Sequence, residues 1–495
     1  MVMDSMEILK AMLPRVPMVL KTALLNTLSL SETEGKQDLR TELTVRILRS
    51  FIGYTVPIGK QQRGSLKDPG IKGPMWISKV TLPKPEIEVQ EALIKVIEEL
   101  KEGGETYDVP GLVDVEAEWT GHRGDANGKS TLPDISEEEK YSKLMEEVKE
   151  DMTILYFHGG AFFAMDPCTH RIITTKLAKL TGARVLSVRY RLAPQHPFPA
   201  ALLDCLVAYL SLISPPPGSL HAPVPANKIV LAGDSAGGNF AISLLQTLLT
   251  LHRNNTTIPF HGTTIQTPIP LPAGAATNSP FCDVNRSLPS VVSNAKYDYL
   301  EPPIQVPGTL FKPYPFPSDS IWPPTPPRVD LYVNANATAH PLVSPVISSQ
   351  KMWENSPPVF ITMGEEGLSD EGLHLARTIH RAGSTALVER FEGMPHCFAL
   401  IAPTTHAGKR CLQGWADFCL EAVRGGGKVE RRGDGEEVTW INHSATRSKK
   451  ERLEDVCALS EEEVERKVRD GRDWRVEGEE ALRKALEEEV SKAKL

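Results

Sequence analysis

Residues 228–251 read KIVLAGDSAGGNFAISLLQTLLTL, an apolar run that leads through a glycine-rich turn into a second apolar run. The first run predicts a buried strand and the second a buried helix. Ser235 lies on the turn between Gly233 and Gly237, where strand and helix pass so closely that a Cβ would clash. A serine on such a sharp turn is lifted clear of the sheet, and the helix N-terminus stabilises negative charge beside it. The stretch therefore predicts a nucleophilic serine.

A second glycine turn, HGGAF at 158–162, follows the apolar run TILYF. An acyl-transfer enzyme needs N–H donors aimed at the oxygen that becomes negative in the tetrahedral intermediate. Glycine can turn its backbone amide inward because no side chain blocks it. Taken alone, the motif could be an ordinary turn, but together with the serine turn it predicts an oxyanion hole. We expect the amides of Gly159, Gly160 and Ala236 to be its donors.

The candidate base and acid follow later strand-like runs. His396 comes just after ALVERF, and at the tip of a strand it can reach the serine as general base. Two carboxylates follow the run PPVFITMG. Glu366 falls on the loop, where it can accept the imidazole N–H. Asp370 falls near a helix start, where its charge could simply stabilise the helix dipole. We favour Glu366 as the acid and keep Asp370 as the alternative.

From residue 151 onward, strand-like and helix-like segments alternate along the chain. This alternation predicts an α/β fold with a mostly parallel central sheet flanked by helices. The strand-like runs are TILYF, RVLSVRY, KIVLAG, PPVFITMG and ALVERF.

These segments resemble the hormone-sensitive lipase-like family of α/β hydrolases, which includes microbial esterases and arylacetamide deacetylases. The resemblance covers roughly residues 150–423, and residues 37–43 are similar to filamentous-fungal members. It implies a serine carboxylesterase or lipase that uses Ser235 and His396 and needs no metal or organic cofactor. The matching motifs are HGGAFF at 158–163, YRLAPQHPFPA at 190–200, GDSAGG at 233–238, SPFCD at 279–283, HPLVSP at 340–345 and EGMPHCF at 392–398.

Two positions depart from the family pattern. The family usually has Asp where Glu366 stands, and glutamate offers the same chemistry with a longer reach. It usually has Glu where Gln195 stands, so a charge that would anchor the LAPQ segment is missing.

Charge and proline content divide the rest of the chain. Ten prolines between residues 301 and 327 exclude a helix or a central strand, which leaves a loop insertion or a docking segment for a partner. After Gly425, mixed charges and a capping box at Ser460 and Glu463 predict a solvated helix or an interaction module. The expected regions are a helical cap at 1–76, leading strands with a charged insertion at 77–150, a catalytic core at 151–424 and a charged helical tail at 425–495.

Composition limits the partners. The 495 residues carry a formal net charge of −8, which argues against a general nucleic-acid binder. Seven scattered cysteines without a CxxC pair indicate neither a disulfide framework nor a zinc site. Charges interrupt every apolar run of the first 25 residues, so we expect no signal peptide and no membrane span, and hence a cytoplasmic protein.

The spacing of Met6, Leu9, Met12 and Leu13 predicts an N-terminal helix. This helix either packs on the core as part of the cap or lies on a membrane surface as a peripheral contact. The sequence does not determine the oligomeric state.

Three functions remain open at this point. The first is hydrolysis of a small or medium carboxylic ester through Ser235, His396 and Glu366. The second is removal of an acetyl or amide group from a specific metabolite, such as a sterol acetate. The third is a ligand receptor on the same fold, against which the intact histidine argues.

Overall fold

The computed structural model describes residues 12–53, 55–303, 309–429 and 437–493. The strands are β1 (Met75–Leu82), β2 (Val115–His122), β3 (Thr153–Phe157), β4 (Arg184–Arg189), β5 (Ile229–Asp234), β6 (Pro259–Phe260), β7 (Thr263–Thr264), β8 (Gly274–Asn278), β9 (Val359–Gly364), β10 (Ala386–Phe391), β11 (Val438–Ile441) and β12 (Ser448–Glu451).

The helices include short ones that frame the loops. They are α1 (Val16–Thr27), α2 (Leu39–Phe51), α3 (Ile58–Ser65), α4 (Ile87–Leu100), α5 (Glu137–Glu147), α6 (Pro167–Thr181), α7 (Ala200–Ile213), α8 (Ala236–Arg253), α9 (Ser290–Ser293), α10 (Ser369–Arg381), α11 (Phe398–Ile401), α12 (His406–Arg424), α13 (Leu453–Val456) and α14 (Glu461–Ala493). Single 3₁₀ turns occupy Leu13–Arg15, Ala226–Lys228, Ala295–Tyr297, Ala335–Ala337, Pro345–Ile347 and Gln350–Trp353.

One ten-stranded sheet organises the fold, in the order β1-β2-β4-β3-β5-β8-β9-β10-β11-β12. Every neighbouring pair from β4 to β11 is parallel. The antiparallel pairs lie at the two edges, β1 with β2, β2 with β4, and β11 with β12. The expectation of a mostly parallel sheet flanked by helices is confirmed.

The centre of the sheet is buried on both faces, which explains its apolar sequence. All residues of β3 and β5 are buried, and α8 is buried over almost its whole length. Because β3, β5, β9 and β10 run parallel, their carboxyl ends meet at one edge. The serine turn, the HGG turn, the acidic loop and the histidine loop all follow these ends.

Several elements were not expected from the sequence. Strand β8 consists of the small and polar residues GAATN, which give no apolar strand signal, yet all five are buried between β5 and β9. Helix α4 buries Val89, Leu93 and Val96 at helical spacing. It lies in the region for which we expected only leading strands and a charged insertion.

The charged tail is more than the solvated helix expected from its composition. Strands β11 and β12 extend the main sheet, because Val388–Phe391 of β10 pair in register with Val438–Ile441. On α14, Arg475 and Glu479 are buried although both are ionisable. The tail therefore contains the expected long helix, but it also adds two strands to the sheet and buries part of that helix.

Helix α14 also contacts the proline-rich insertion and the segment that follows it. The Arg475 guanidinium lies over the Phe311 ring at 4.4 Å, and the Glu479 carboxylate accepts hydrogen bonds from the amides of Val329 and Ala335. Further along the insertion, Trp322 is buried against the cap. The described part of the insertion, residues 301–303 and 309–327, contains no helix or strand and lies between the tail and the cap.

The N-terminal helices form a cap beside the catalytic edge. Gln37 Nε2 donates to the carbonyls of Tyr297 and Gly393, at 2.9 and 2.6 Å. Lys36 forms an ion pair with Glu365 at 2.7 Å. Helix α1 packs on α2, which follows Gln37 directly. Met6 and Leu9, on which part of the N-terminal helix prediction rests, lie outside the described residues.

Within the described ranges, every helix is either too short or too polar to cross a bilayer.

Candidate active site

The serine turn is built by close packing of backbone. Ser235 has a positive φ of 52°, which a non-glycine residue adopts only at a cost. A Cβ on Gly233 would lie 2.3 Å from the Gly237 carbonyl oxygen, and one on Gly237 would lie 2.0 Å from the Phe157 carbonyl oxygen. Both glycines are therefore required for this turn. It leaves Ser235 partly exposed while its neighbours Asp234 and Ala236 are buried.

The structure brings Ser235, His396 and Glu366 together. His396 Nε2 lies 2.9 Å from Ser235 Oγ, and His396 Nδ1 lies 2.9 Å from Glu366 Oε1. With Nδ1–H donating to the carboxylate, Nε2 can accept the hydroxyl proton. This is the geometry that a serine nucleophile, its base and an orienting acid require.

Glu366 is fixed in place by donors on its second oxygen. Ser279 Oγ donates to Glu366 Oε2 at 2.7 Å, and the Gly364 amide donates to the same oxygen at 3.0 Å. The Cys397 amide in turn donates to Ser279 Oγ, which ties the acidic loop to the histidine loop. Asp370, the alternative acid, instead accepts from the Ser290 amide at 2.8 Å.

Asp298 is a further support that sequence reasoning missed. Its buried carboxylate accepts from the His396 amide at 3.2 Å and from the Gly367 amide at 2.9 Å. It thus joins the residue after Glu366 to the backbone of His396. Asp298 lies in the segment KYDYLEPP, where no motif or periodicity marks it, so only the folded chain reveals the contact.

The HGG turn differs from expectation at one residue. The Gly159 amide donates to Asp234 Oδ1 at 3.2 Å, so it is already engaged and we leave it out of the oxyanion hole. Among the described residues, the amides of Gly160, Ala161 and Ala236 have no hydrogen-bond acceptor. Gly160 has φ +117°, and a Cβ there would lie 2.1 Å from the Ala164 carbonyl oxygen.

A buried polar cluster lies behind the serine turn. The Asp234 carboxylate accepts from Tyr156 Oη at 2.6 Å and lies 3.3 Å from His170 Nε2. Burial would raise the pKa of Asp234, but His170 and Tyr156 outweigh burial and lower it. Burial, and then the neighbouring charge of His170, lowers the pKa of His158 to about 4. The cluster therefore holds an ionised Asp234 between the two glycine turns.

Gln195, the second departure from the family pattern, is anchored by another glutamine. Gln195 Nε2 donates to Gln62 Oε1 at 2.7 Å, and Gln62 Nε2 donates to the carbonyls of Phe163 and Ala193, both at 2.8 Å. Hydrogen bonds of these two side-chain amides therefore join cap helix α3 to the loops beside the HGG turn. Neither side chain carries a charge.

A stack of aromatic rings is linked to the serine turn. Phe162 stacks on Tyr332 with ring centroids 3.9 Å apart and on Phe281 at 5.6 Å. The Phe281 amide donates to the Ser235 carbonyl at 3.0 Å, so one member of this stack is bonded to Ser235 through its backbone.

The environment of His396 predicts how activity depends on pH. Burial alone would lower the pKa of His396, but the charge and hydrogen bond of Glu366 outweigh it and raise the pKa above 6.5. Only the neutral imidazole can accept the Ser235 proton, so kcat/KM should fall as pH drops through this raised value. We expect a single acid limb with its midpoint above 6.5, measured on a soluble ester. A midpoint below 6.5 would contradict the raised pKa, and a flat profile down to pH about 4 would contradict the role of His396 as the base.

All seven cysteines are free and buried. Across the described part of the chain, no three His, Cys, Asp or Glu side chains form a set of metal ligands.

The chain is similar in sequence to known hydrolases. A family model described as alpha/beta hydrolase fold matches residues 154–310 and 313–400. An acetyl-hydrolase of Streptomyces hygroscopicus is 28% identical over 276 residues, 56% of this chain and 77% of that protein. An esterase of Acinetobacter venetianus is 33% identical over 30% of this chain, and human hormone-sensitive lipase is 30% identical over 31%. The chain covers only 41% and 12% of those two proteins.

Solved structures share the fold. The crystal structure of EstE5 soaked with p-nitrophenyl butyrate aligns with a TM-score of 0.51 and 21% identity, over 77% of this chain and 97% of that one. An esterase/lipase from an uncultured bacterium aligns with the same TM-score and coverage at 20% identity.

Proposed function

The chain belongs to the alpha/beta hydrolase fold family and is a serine hydrolase of the esterase and lipase type, and we propose that it cleaves small or medium carboxylic esters through Ser235, His396 and Glu366. The observation that carries this proposal is the hydrogen-bonded series Ser235 Oγ, His396 Nε2, His396 Nδ1 and Glu366 Oε1, with both links at 2.9 Å.

In the first half of the reaction, Ser235 Oγ attacks the ester carbonyl carbon while His396 Nε2 takes the hydroxyl proton. The carbonyl oxygen becomes negative and is held by backbone amides, for which Gly160 and Ala236 are the proposed donors and Ala161 an additional one. The imidazolium is stabilised by the Glu366 carboxylate. It then gives its proton to the alcohol oxygen as the ester C–O bond breaks, which leaves an acyl group on Ser235.

In the second half, water takes the place of the alcohol. His396 removes a proton from the water, whose oxygen attacks the acyl carbon. The tetrahedral intermediate collapses with return of the proton to Ser235 Oγ, which releases the carboxylic acid and the free enzyme. No step requires a group other than these side chains and backbone amides.

A second candidate is hydrolysis of an acetyl ester or amide on a specific metabolite. The similarity to an acetyl-hydrolase over 77% of that protein favours it. Both candidates use the same acyl-enzyme, so they differ only in the acyl group and in the group that leaves.

Acyl-chain length tests the substrate class. Phe281, which is bonded to Ser235 through its backbone amide, stacks on Phe162, and Phe162 stacks on Tyr332. We expect these rings to bound the acyl site, and hence higher kcat/KM for acetyl and butyryl esters than for palmitoyl esters. A series of p-nitrophenyl esters from two to sixteen carbons, at concentrations below micelle formation, measures this preference. Replacing Phe281 by Ala should move the optimum toward longer chains. A maximum on long-chain triglyceride emulsions in the unaltered protein would contradict the proposal.

A further inference from the structure

Asp298 places a second carboxylate behind the catalytic histidine. Its side chain is fully buried, and both of its oxygens accept hydrogen bonds from backbone amides. Oδ1 accepts from His396 at 3.2 Å and from Leu300 at 3.3 Å, and Oδ2 accepts from Gly367 at 2.9 Å. These donors stabilise a carboxylate that is removed from water. The side chain therefore fixes the backbone of the base relative to the residue after Glu366.

Two side chains that precede Asp298 hold the same acidic loop. Asn294 Nδ2 donates to the Glu366 carbonyl at 3.0 Å, and Ser290 Oγ donates to the Gly367 carbonyl at 2.7 Å. Ser290, Asn294 and Asp298 follow one another at steps of four residues, on the stretch that contains α9 and the next 3₁₀ turn. We call residues 290–298 the supporting segment. Its side chains bind the backbone on which the acid and the base stand.

The cap holds the backbone of the supporting segment. Gln37, just before α2, and Arg49, on α2, donate side-chain hydrogen bonds to three of its carbonyls. These are the carbonyls of Ala295, Tyr297 and Asp298. Because the Asp298 side chain in turn accepts from the His396 amide, hydrogen bonds lead from the cap to the base through one residue.

The charge of Asp298 also acts on the imidazole. Burial lowers the pKa of His396, the charge and hydrogen bond of Glu366 raise it, and the charge of Asp298 raises it further. Burial raises the pKa of the Cys397 thiol and of the Tyr299 hydroxyl well above their usual values, so both groups are neutral where His396 titrates. The titratable groups that face His396 are Glu366, Asp298, Asp234, Cys397 and Tyr299.

We propose that Asp298 is a positioning residue for the catalytic base, through which the cap determines where His396 lies relative to Ser235. The proposal rests on the proposed function, because that function makes His396 the base. A displacement of a catalytic group by about 1 Å can lower the rate by about 10²-fold. Asp298 is buried and acts on the backbone of His396, so its loss should lower kcat more than it raises KM.

Asp298→Asn tests the proposal in the full chain. The amide removes the negative charge and places an N–H₂ group where a backbone amide now has an acceptor. We expect kcat to fall about tenfold or more, KM to stay within about twofold, and the acid limb of kcat/KM to move to lower pH. Asp298→Glu keeps the charge, so its acid limb should stay with that of the unaltered protein even where its kcat is lower.

Asp283→Asn is the matched control for a carboxylate that only anchors a loop. Asp283 is 1% exposed and accepts from the amides of Asn285 at 3.0 Å and Ser287 at 2.7 Å. Among the hydrogen bonds of the described residues, none joins the Asp283 side chain to Ser235 or His396. Its thermal stability should fall, whereas its kcat should stay within about twofold and its acid limb should not move.

Arg49→Gln weakens the same connection from the cap and leaves the carboxylate in place. Its kcat should fall by about threefold or more at a similar KM, because the backbone of Asp298 is less firmly held. Its acid limb should not move, because Asp298 keeps its charge. This variant tests the proposal even where Asp298→Asn does not fold.

The rate of fluorophosphonate labelling at Ser235 is measured beside ester hydrolysis, because it depends on His396 but not on the choice of ester. A protein that is labelled but hydrolyses no ester contradicts the proposed function, and its labelling rates still test the role of Asp298. Labelling and an acid limb that Asp298→Asn leaves unchanged overturn the proposal. So does a loss of kcat that Asp283→Asn shares, an unchanged rate in Arg49→Gln, or an unaltered protein that is not labelled at all.

Discussion

Ser235→Ala is expected to lower kcat for ester hydrolysis on the order of 10⁴-fold or more, because the acyl-enzyme cannot form without the serine oxygen. The oxyanion donors and the substrate contacts would remain and account for the residual rate. The change removes one atom from a turn that alanine can occupy at the same positive φ of 52° with a strain similar to that of serine. The fold should therefore persist, and circular dichroism together with thermal unfolding would verify it.

Covalent labelling separates loss of the nucleophile from loss of substrate binding. A fluorophosphonate probe should label the unaltered protein at Ser235 and leave Ser235→Ala unlabelled. Ser293→Ala is the matched control, since Ser293 is exposed at the end of α9. It should keep both labelling and activity. Residual activity of Ser235→Ala within tenfold of the unaltered protein would rule out the serine mechanism.

The central strands of the sheet could be predicted from the sequence, because buried parallel strands are continuous apolar runs. TILYF and ALVERF lie in β3 and β10 with the same bounds that the sequence suggests. Each catalytic candidate follows such a run directly, so the meeting of carboxyl ends at one edge places Ser235, His396 and Glu366 near one another. The glycines at 233 and 237 could also be interpreted from sequence, since their role depends on local packing.

The elements that sequence reasoning missed depend on contacts between distant parts of the chain. Strand β8 has no run of large apolar residues. Small residues fit there because the two neighbouring strands and α12 pack closely against it. Strand β12 has the sequence SKKE, which is typical of a solvated loop. It forms a strand because its backbone pairs with that of β11. Asp298 reaches His396 over 98 residues, and the Gly159 amide is taken by Asp234 over 75. Such pairings leave no periodic signal in the sequence.

The assignment of the acid can be tested most sharply by comparing two neighbouring carboxylates. Glu366 is fully buried, and one of its oxygens faces His396 Nδ1 while the other accepts from Ser279 and Gly364. Asp370 is only partly buried and accepts from the Ser290 amide. One carboxylate is thus placed to stabilise an imidazolium, and the other to hold α9 against the start of α10.

Glu366→Gln should lower kcat by on the order of 10²–10⁴-fold, because the amide keeps the size of the side chain but removes the charge that stabilises the imidazolium and selects its tautomer. The acid limb of its residual activity should also move to lower pH, because the charge of Glu366 is a main cause of the raised His396 pKa.

Asp370→Asn is the matched control. The amide oxygen can still accept from Ser290, so kcat should stay within about threefold and stability should fall by at most about 1 kcal/mol. The double variant should be no slower than Glu366→Gln alone, because only one of the two carboxylates acts on His396. If Asp370→Asn is the crippled enzyme while Glu366→Gln retains its rate, the triad acid is Asp370, and the acidic loop must rearrange when substrate binds.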